Sequence, residues 1–314
     1  GIITIIFTNI LAFITAFFLS EKVFGGSVSR AMFFIPNIIS GVMVSYVWYF
    51  IFTRAIPDVG KMLSNHFLAN ISWFGTPGWA FFATSIVSIW QGTGFLMILY
   101  IAGLQTIPKD VLEAAKLDGC VGLKKIRYIE IPLLMTTVTV NLFVSIANSF
   151  KAFDIPFALT GGGPGGSTQT IALDIYNDAF GSFRYGYASA KSVIVSYGSS
   201  GNSCTALCDQ KEGGTGMTKA KGNIWKGIIM LVLGTVFMLP VFLIVMNSFK
   251  TGKEILTNFV SFPTSLYLDN FVQAMKTMRY ASSFLNSAVL TVLTVFISLI
   301  VSYLAAYGIS HLKG

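Results

Sequence analysis

Charge is what this sequence has least of. Only 11% of its 314 residues are Asp, Glu, Lys or Arg, while 54% are hydrophobic. Soluble globular domains carry roughly 25% charged residues, so a water-soluble enzyme with a single core is excluded. Cysteine is scarce as well: Cys120, Cys204 and Cys208 make no disulfide framework. Cys204 and Cys208 have the spacing of half a metal site, but only His66 and His311 stand elsewhere, so no metal and no cofactor are expected. The apolar stretches hold no His/Glu metal motif and no Ser–His pairing, which argues against an intramembrane enzyme. The net charge of +8 collects in short loops, which is the pattern of a membrane protein and not of one that binds nucleic acid. The chain begins at Gly1 and stops at Gly314 beside a helix end, as a fragment would.

Long hydrophobic blocks are what the sequence does have. They cover residues 2–19, 31–52, 79–104, 132–150, a fifth from 185, 224–249 and 282–309. A helix crosses the hydrocarbon with about 20 apolar residues, at about 1.5 Å of rise each. Six blocks meet that length with some tilt. The fifth offers only residues 187–197, with Lys191 inside, before the sequence turns polar. The expected fold class is all-α: a polytopic transmembrane helix bundle in a lipid bilayer, with six good spans and one truncated span.

Lys and Arg in short loops mark the cytoplasmic side. The loop 105–131 holds Lys109, Lys116, Lys124, Lys125 and Arg127. Its neighbours hold two cations each, Arg54 and Lys61 before it, Lys151 and Arg184 after it. The loop 105–131 is therefore cytoplasmic and its neighbours external. One loop opposes the scheme: 250–281, external by this count, carries Lys250, Lys253, Lys276 and Arg279.

The cytoplasmic loop has its own pattern. Pro108 suits the first turn of a helix. Val111, Leu112, Ala115 and Leu117 can form an apolar side, and Gly119 and Gly122 can end the helix. A second short helix at 123–130 follows, and Pro132 starts the next span. On pattern alone this is either a docking knob or an amphipathic helix lying on lipid. As a knob, Ala114 and Ala115 permit close approach, and Glu113 and Asp118 offer carboxylates to a basic partner.

The spacing is Glu113-Ala114-Ala115, three residues, Gly119, nine residues, Ile129, one residue, then Ile131-Pro132. It resembles the EAA loop of bacterial ABC importer permeases, with Ile131 in place of the family's Leu. The resemblance implies that Glu113, Ala114, Ala115, Asp118, Gly119, Ile129 and Pro132 dock an ATP-binding subunit whose closure moves the membrane helices.

The glycine-rich run 161–166 invites a phosphate-loop reading, but no Gly-Lys-Ser/Thr follows it and it lies on the external side. Composition alone leaves a flexible loop. Residues 159–170, followed by 176–180 and 186–190, resemble the carbohydrate-uptake, maltose-type branch of these permeases, as do residues 33–52. That implies a loop facing an extracytoplasmic solute-binding protein.

Asn141, Ser145 and Asn148 fall at i, i+4 and i+7 on one helix face. Amides and hydroxyls pair well with sugar hydroxyls, and Phe150 and Phe153 can stack on a sugar ring. The same polar groups can equally hold this helix to another, since polar side chains in hydrocarbon need partners. Trp90 and Gln91 are further candidates of this kind.

Residues 1–196 thus read as a first permease fragment, with its EAA loop at 105–132. Where the resemblance requires the fifth span to continue, 197–216 is polar. Residues 217–314 resemble the N-terminal part of a second permease and stop before an EAA loop of their own. Met217 is ATG and Thr218 begins with A, so one base later the frame reads TGA, a stop. In that frame Lys211 and Glu212 become two Lys or Arg codons. The expectation is a frameshifted or mis-joined reading of two adjacent permease genes; the other explanation is a natural fusion with a polar linker.

The implied function is a multi-pass permease subunit of a bacterial ABC sugar importer, in the cytoplasmic membrane and not itself an enzyme. It would work by alternating access with an ATP-binding subunit dimer, a second permease subunit and a solute-binding protein. The alternatives are a permease for polyamines or phosphate esters, or a membrane receptor or channel subunit without an ATPase partner.

Overall fold

The computed structural model describes residues 1–20, 24–120, 122–201, 224–257, 260–277, 282, 285–286 and 289–300. They fall into two units, Gly1–Leu243 and Ile244–Gly314. In the first, α1 (Ile2–Ser20) turns Thr8, Ala12, Thr15, Ala16 and Leu19 inward and leaves Ile3, Ile6, Phe7, Ile10 and Ile14 exposed. This is the reverse of a water-soluble helix. Lipid tails are as apolar as Ile, so large apolar residues gain little by burial, while small and hydroxylated ones let helices approach and find partners.

α2 (Gly26–Ile38) and α3 (Gly41–Phe50) follow, then a π turn (Ile51–Ala55), α4 (Ile56–Met62) and α5 (His66–Asn70). The longest helix is α6 (Pro77–Gln105) with 29 residues; at the standard rise it spans about 43 Å, more than the hydrocarbon thickness. Ala12, Ala16 and Leu19 of α1 pack on its Leu96, Met97 and Tyr100. On its other half, Ala83, Val87 and Trp90 pack on Val44 and Phe52. α2 crosses α6 at Gly94, where a Cβ would overlap the Phe33 carbonyl and stand 2.9 Å from Phe34 Cα. No side chain fits there.

Beyond α6 come α7 (Lys109–Leu117), α8 (Met135–Lys151), α9 (Asp154–Thr160), α10 (Ile171–Tyr176), α11 (Tyr185–Gly201), α12 (Ile224–Phe237) and α13 (Leu239–Ser248). The expected all-α membrane bundle is what the chain forms, with no strand among the described residues. The spans differ from expectation in a consistent way. Among the described residues, only α1 and α6 are unbroken helices long and apolar enough to cross, and three further candidate spans are bent pairs.

The block 31–52 bends by 99° between α2 and α3. Pro36 lacks an N–H and its ring crowds the preceding turn, and Ile39 is extended at φ −75° and ψ 137°. The block 132–150 bends by 64° at Leu134, so Pro132 lies within a short turn (Ile131–Leu133) and the span's main helix, α8, starts at Met135 and not at Pro132. α12 and α13 part at Met238, just before Pro240. In the fifth block the backbone stays helical to Gly201, past Tyr197; the rest of the polar segment 197–216, with Cys204 and Cys208, lies outside the described residues. The last block shows an apolar helix over Val289–Ile300, and 301–314 lie outside the described residues.

In the second unit, Asn270 Nδ2 donates to the carbonyls of Ser248 at 3.0 Å and Lys250 at 2.7 Å. Glu254 Oε1 accepts from Thr264 N and Oγ1, both at 2.8 Å. These bonds hold the Glu254 carboxyl below its ordinary range.

Gly94→Val should lower stability by about 1–3 kcal/mol or more through overpacking, read as a reduced unfolding midpoint in detergent. Gly186→Ala, at a site with nothing within 4 Å, should leave the midpoint unchanged.

Candidate functional site

Two regions carry the residues singled out above. The first is the turn after α6. Pro108 is the residue before α7, not inside its first turn. α7 closes with a Schellman motif: Gly119 N donates to Lys116 O at 3.2 Å and Cys120 N to Ala115 O at 2.8 Å. That motif needs a left-handed residue, and Gly119 has φ +70°. Glu113, Ala114, Asp118 and Gly119 lie on the exposed face, as does Pro132, and Ile129 is half-buried.

Ala115 is buried, so it packs the turn onto its own chain and presents no surface. The expected apolar side is also corrected. Leu112 turns partly inward, but Leu117 stands two residues from Ala115, on the opposite side of the helix, and is 89% exposed. Sequence reasoning passed over Glu130. It is 4% exposed and pairs with Lys125 at 2.6 Å across the π turn Ile126–Glu130. The five-residue spacing suits a π turn and not the i, i+4 spacing of an α-helix, which is why the pair escapes a helix-based search.

The second region is a cavity of about 1040 Å³. α1 lines it with Thr4 and Thr8, the α2–α3 break with Asn37 and Ser40, and α6 with Thr84, Ser88 and Gln91. The end of α8 adds Asn148 and Phe150, and Phe153 follows. Thr84, Ser88 and Gln91 repeat the i, i+4, i+7 pattern of α8, a signal present in the sequence and not used. The Thr84 and Ser88 hydroxyls donate to the carbonyls of Ala80 and Thr84, both at 2.8 Å, which leaves their oxygen lone pairs as acceptors.

The three polar residues of α8 divide. Asn141 is wholly buried and does not line the cavity. Its amide donates to Leu96 O at 3.5 Å. Ser145 Oγ accepts from Asn9 Nδ2 at 2.9 Å and donates to Asn141 O at 2.7 Å. Tyr100 OH donates to Asn9 Oδ1 at 3.0 Å. Asn141 and Ser145 therefore tie α8 to α1 and α6, although Ser145 also touches the cavity. Asn148 is exposed and faces the cavity.

Phe150 and Phe153 reach the wall, with Phe153 already stacked on Phe157 at 5.0 Å between centroids. Gln91 and Trp90 both have structural partners: Gln91 Nε2 donates to Ile39 O at 2.9 Å and Trp90 Nε1 to Phe237 O at 2.8 Å. The cavity's charged lining residues are Lys151 and Asp154, one of each sign.

Residues 167–171, which follow the glycine-rich run, line this cavity, and the run itself is an ordered turn. Thr160 and Thr168 share a hydroxyl bond at 2.6 Å, and Thr168 Oγ1 donates to Gly163 O at 3.1 Å. Gly161, Gly162, Gly165 and Gly166 all have positive φ. No group of three metal-ligating side chains exists among the described residues.

The division of α8 is testable. Asn141→Ala should cost about 1–3 kcal/mol, because it strips a buried polar cluster of a partner. Asn148→Ala should leave the unfolding midpoint in detergent unchanged.

Over 186 residues the chain is 38% identical to the multiple sugar-binding transport system permease protein MsmF of Streptococcus mutans, a match covering 59% of this chain and 64% of that protein. Over 187 residues it is 35% identical to the trehalose/maltose transport system permease protein MalF of Thermococcus litoralis, covering 60% and 63%. The chain spans less than two thirds of the length of either relative. A chain from the crystal structure of a bacterial alginate ABC transporter, in complex with an alginate pentasaccharide-bound periplasmic protein, shares the fold. Its TM-score is 0.57 at 21% identity, over 65% of this chain and 72% of that one. Residues 2–201, which hold both the exposed turn and the cavity, match the model for the binding-protein-dependent transport system inner membrane component, and the chain belongs to that family.

Proposed function

We propose that this chain is a permease subunit of a bacterial ABC importer for neutral sugars. The observation that carries the reading is the cavity wall, which offers hydroxyls and amides with one cation and one anion among its charged residues. A polyamine would need an excess of carboxylates there, and a phosphate ester an excess of cations. Sugar hydroxyls need donors and acceptors together, with an aromatic edge of the kind Phe150 and Phe153 supply. The family's multi-pass place in the cytoplasmic membrane, and the sugars named for MsmF and MalF, support this reading.

Glu113, Ala114, Asp118 and Gly119 form the docking face for an ATP-binding subunit, with Ile129 and Pro132 at its edge and Ala115 behind it. Closure of the ATPase dimer moves this turn and, through it, α8, so that the cavity opens alternately to each side. A second permease subunit completes the path, and an extracytoplasmic solute-binding protein delivers the sugar to the glycine-rich side. Residues 1–196 act as the first permease, 197–216 as a misread junction, and 217–314 as the beginning of a second. An intact second reading frame across 197–216 in the coding DNA supports the junction, and scattered stops remove it.

The test is capture and binding with the full chain in nanodiscs. Wild type should retain an ATP-binding subunit and bind a maltose-series oligosaccharide in preference to spermidine or glycerol phosphate. Glu113→Lys should weaken ATPase capture by about tenfold or more, as the loss of a docking charge does, and Asn148→Ala should weaken sugar binding only. A chain that binds sugar but captures no ATPase is a receptor or channel subunit.

A further inference from the structure

Lys191 is the one charge inside the fifth apolar block, and the solute reading leaves it without a role. Its ammonium meets Asp174 Oδ2 and Asp178 Oδ2, each at 2.5 Å, and lies 4.6 Å from the centre of the Tyr187 ring. The two carboxylates stand at i, i+4 on α10 and the π turn that follows it (Asn177–Gly181). Without a cation between them they would repel. Lys191 thus fastens α11 to the 171–181 segment.

The tie continues to the cavity. Asp174 Oδ1 accepts from Gln169 Nε2 at 2.7 Å. Next along the chain, Thr170 Oγ1 donates to Ala152 O at 2.6 Å. Gln169, Thr170 and Ala152 all line the cavity. A chain of polar contacts therefore runs from a membrane helix to the cavity rim. An isolated exposed ion pair contributes little, but one cation shared by two carboxylates and an aromatic face, with an amide on one of the carboxylates, is a network with fixed geometry.

We propose that Lys191 is a positioning residue that latches the rim of the cavity: it holds the 171–181 segment on α11 and, through Asp174 and Gln169, keeps residues 167–171 across the opening. The proposal rests on the cavity being the solute path. A movement of α11 is then a movement of the rim, so this helix controls access to Asn148. Lys191 touches no solute; it acts through Asp174 and Gln169.

Access is measured directly. The full chain, carrying Cys120→Ser, Cys204→Ser and Cys208→Ser, receives Asn148→Cys as reporter and is treated in nanodiscs with a bulky membrane-impermeant maleimide. Lys191→Met should raise the labelling rate about five-fold or more, because the rate follows the open population. Lys191→Arg should stay within about two-fold of the parent, since it keeps the cation. The double variant Asp174→Asn with Asp178→Asn should match Lys191→Met, and combining all three should add nothing further.

Rates within about two-fold of the parent in both Lys191→Met and the double variant overturn the latch. If Lys191→Met unfolds, seen as label entering a cysteine placed at the buried Ala12, the decision passes to Gln169→Ala, which cuts only the rim arm. A faster rate there supports the latch, and an unchanged rate overturns it. Failure of the wild-type chain, with Asn148 intact, to bind sugar would remove the solute reading alone, because labelling does not depend on it.

Discussion

Hydrocarbon offers no partner to a backbone carbonyl or N–H, so a membrane helix that breaks must have its freed groups met from elsewhere in the protein. The arrangement of the first unit follows from that constraint. Two of its breaks lie beside α6, and consecutive residues of that helix serve them. Gln91 donates to Ile39 O at the α2–α3 bend, and Trp90 donates to Phe237 O at the end of α12. The two side chains leave the helix about 100° apart, so one unbroken helix can reach two broken neighbours. α6 stays unbroken and carries no proline beyond its first turn, and its small residues admit those neighbours to close range.

Polar side chains inside this bundle divide by the same rule into those that satisfy protein and those left for something else. Asn9, Tyr100, Asn141 and Ser145 form a set of buried polar contacts linking α1, α6 and α8. Asn148 lies one turn further along α8, where the helix passes the end of that set and meets the cavity. A face of α8 that is uniform in sequence is therefore split by depth. Asn141 is buried in protein, Ser145 bonds to protein and also touches the cavity, and Asn148 faces the cavity.

Much of this was legible in the sequence, and the remainder was hidden for identifiable reasons. The spans were legible because their blocks are long and uncharged. The turn after α6 was legible because a Schellman motif needs a left-handed residue at one position, and glycine stands there at 119. The bends were not: Pro36 and Pro132 announce a disturbance but not its angle, which depends on whether a neighbour such as Gln91 can seal the gap. Asn148 could not be separated from Asn141, because periodicity reports a direction around the helix and not what lies opposite. Lys191 looked like a fault in a weak span. Its partners, Asp174 and Asp178, are 17 and 13 residues earlier, beyond any local pattern.

The cavity and the broken helices have one origin. Straight helices packed side by side leave room for side chains only. Space of the size seen here needs helices that turn away from each other, and turning exposes backbone. In this bundle the α2–α3 bend, the end of α8 and residues 167–171 after the glycine-rich turn all border the same opening, so these backbone irregularities, which would be costly in lipid, are gathered where polar surface is tolerated. Glycine at 161, 162, 165 and 166 permits a tight turn there, and Thr160, Thr168 and Thr170 bond it internally and to Ala152. A wall built this way has fixed backbone and little charge. On the proposed reading such a wall suits a polyhydroxylated neutral solute better than an ion, since an ion would need an opposing charge that the wall does not hold in excess.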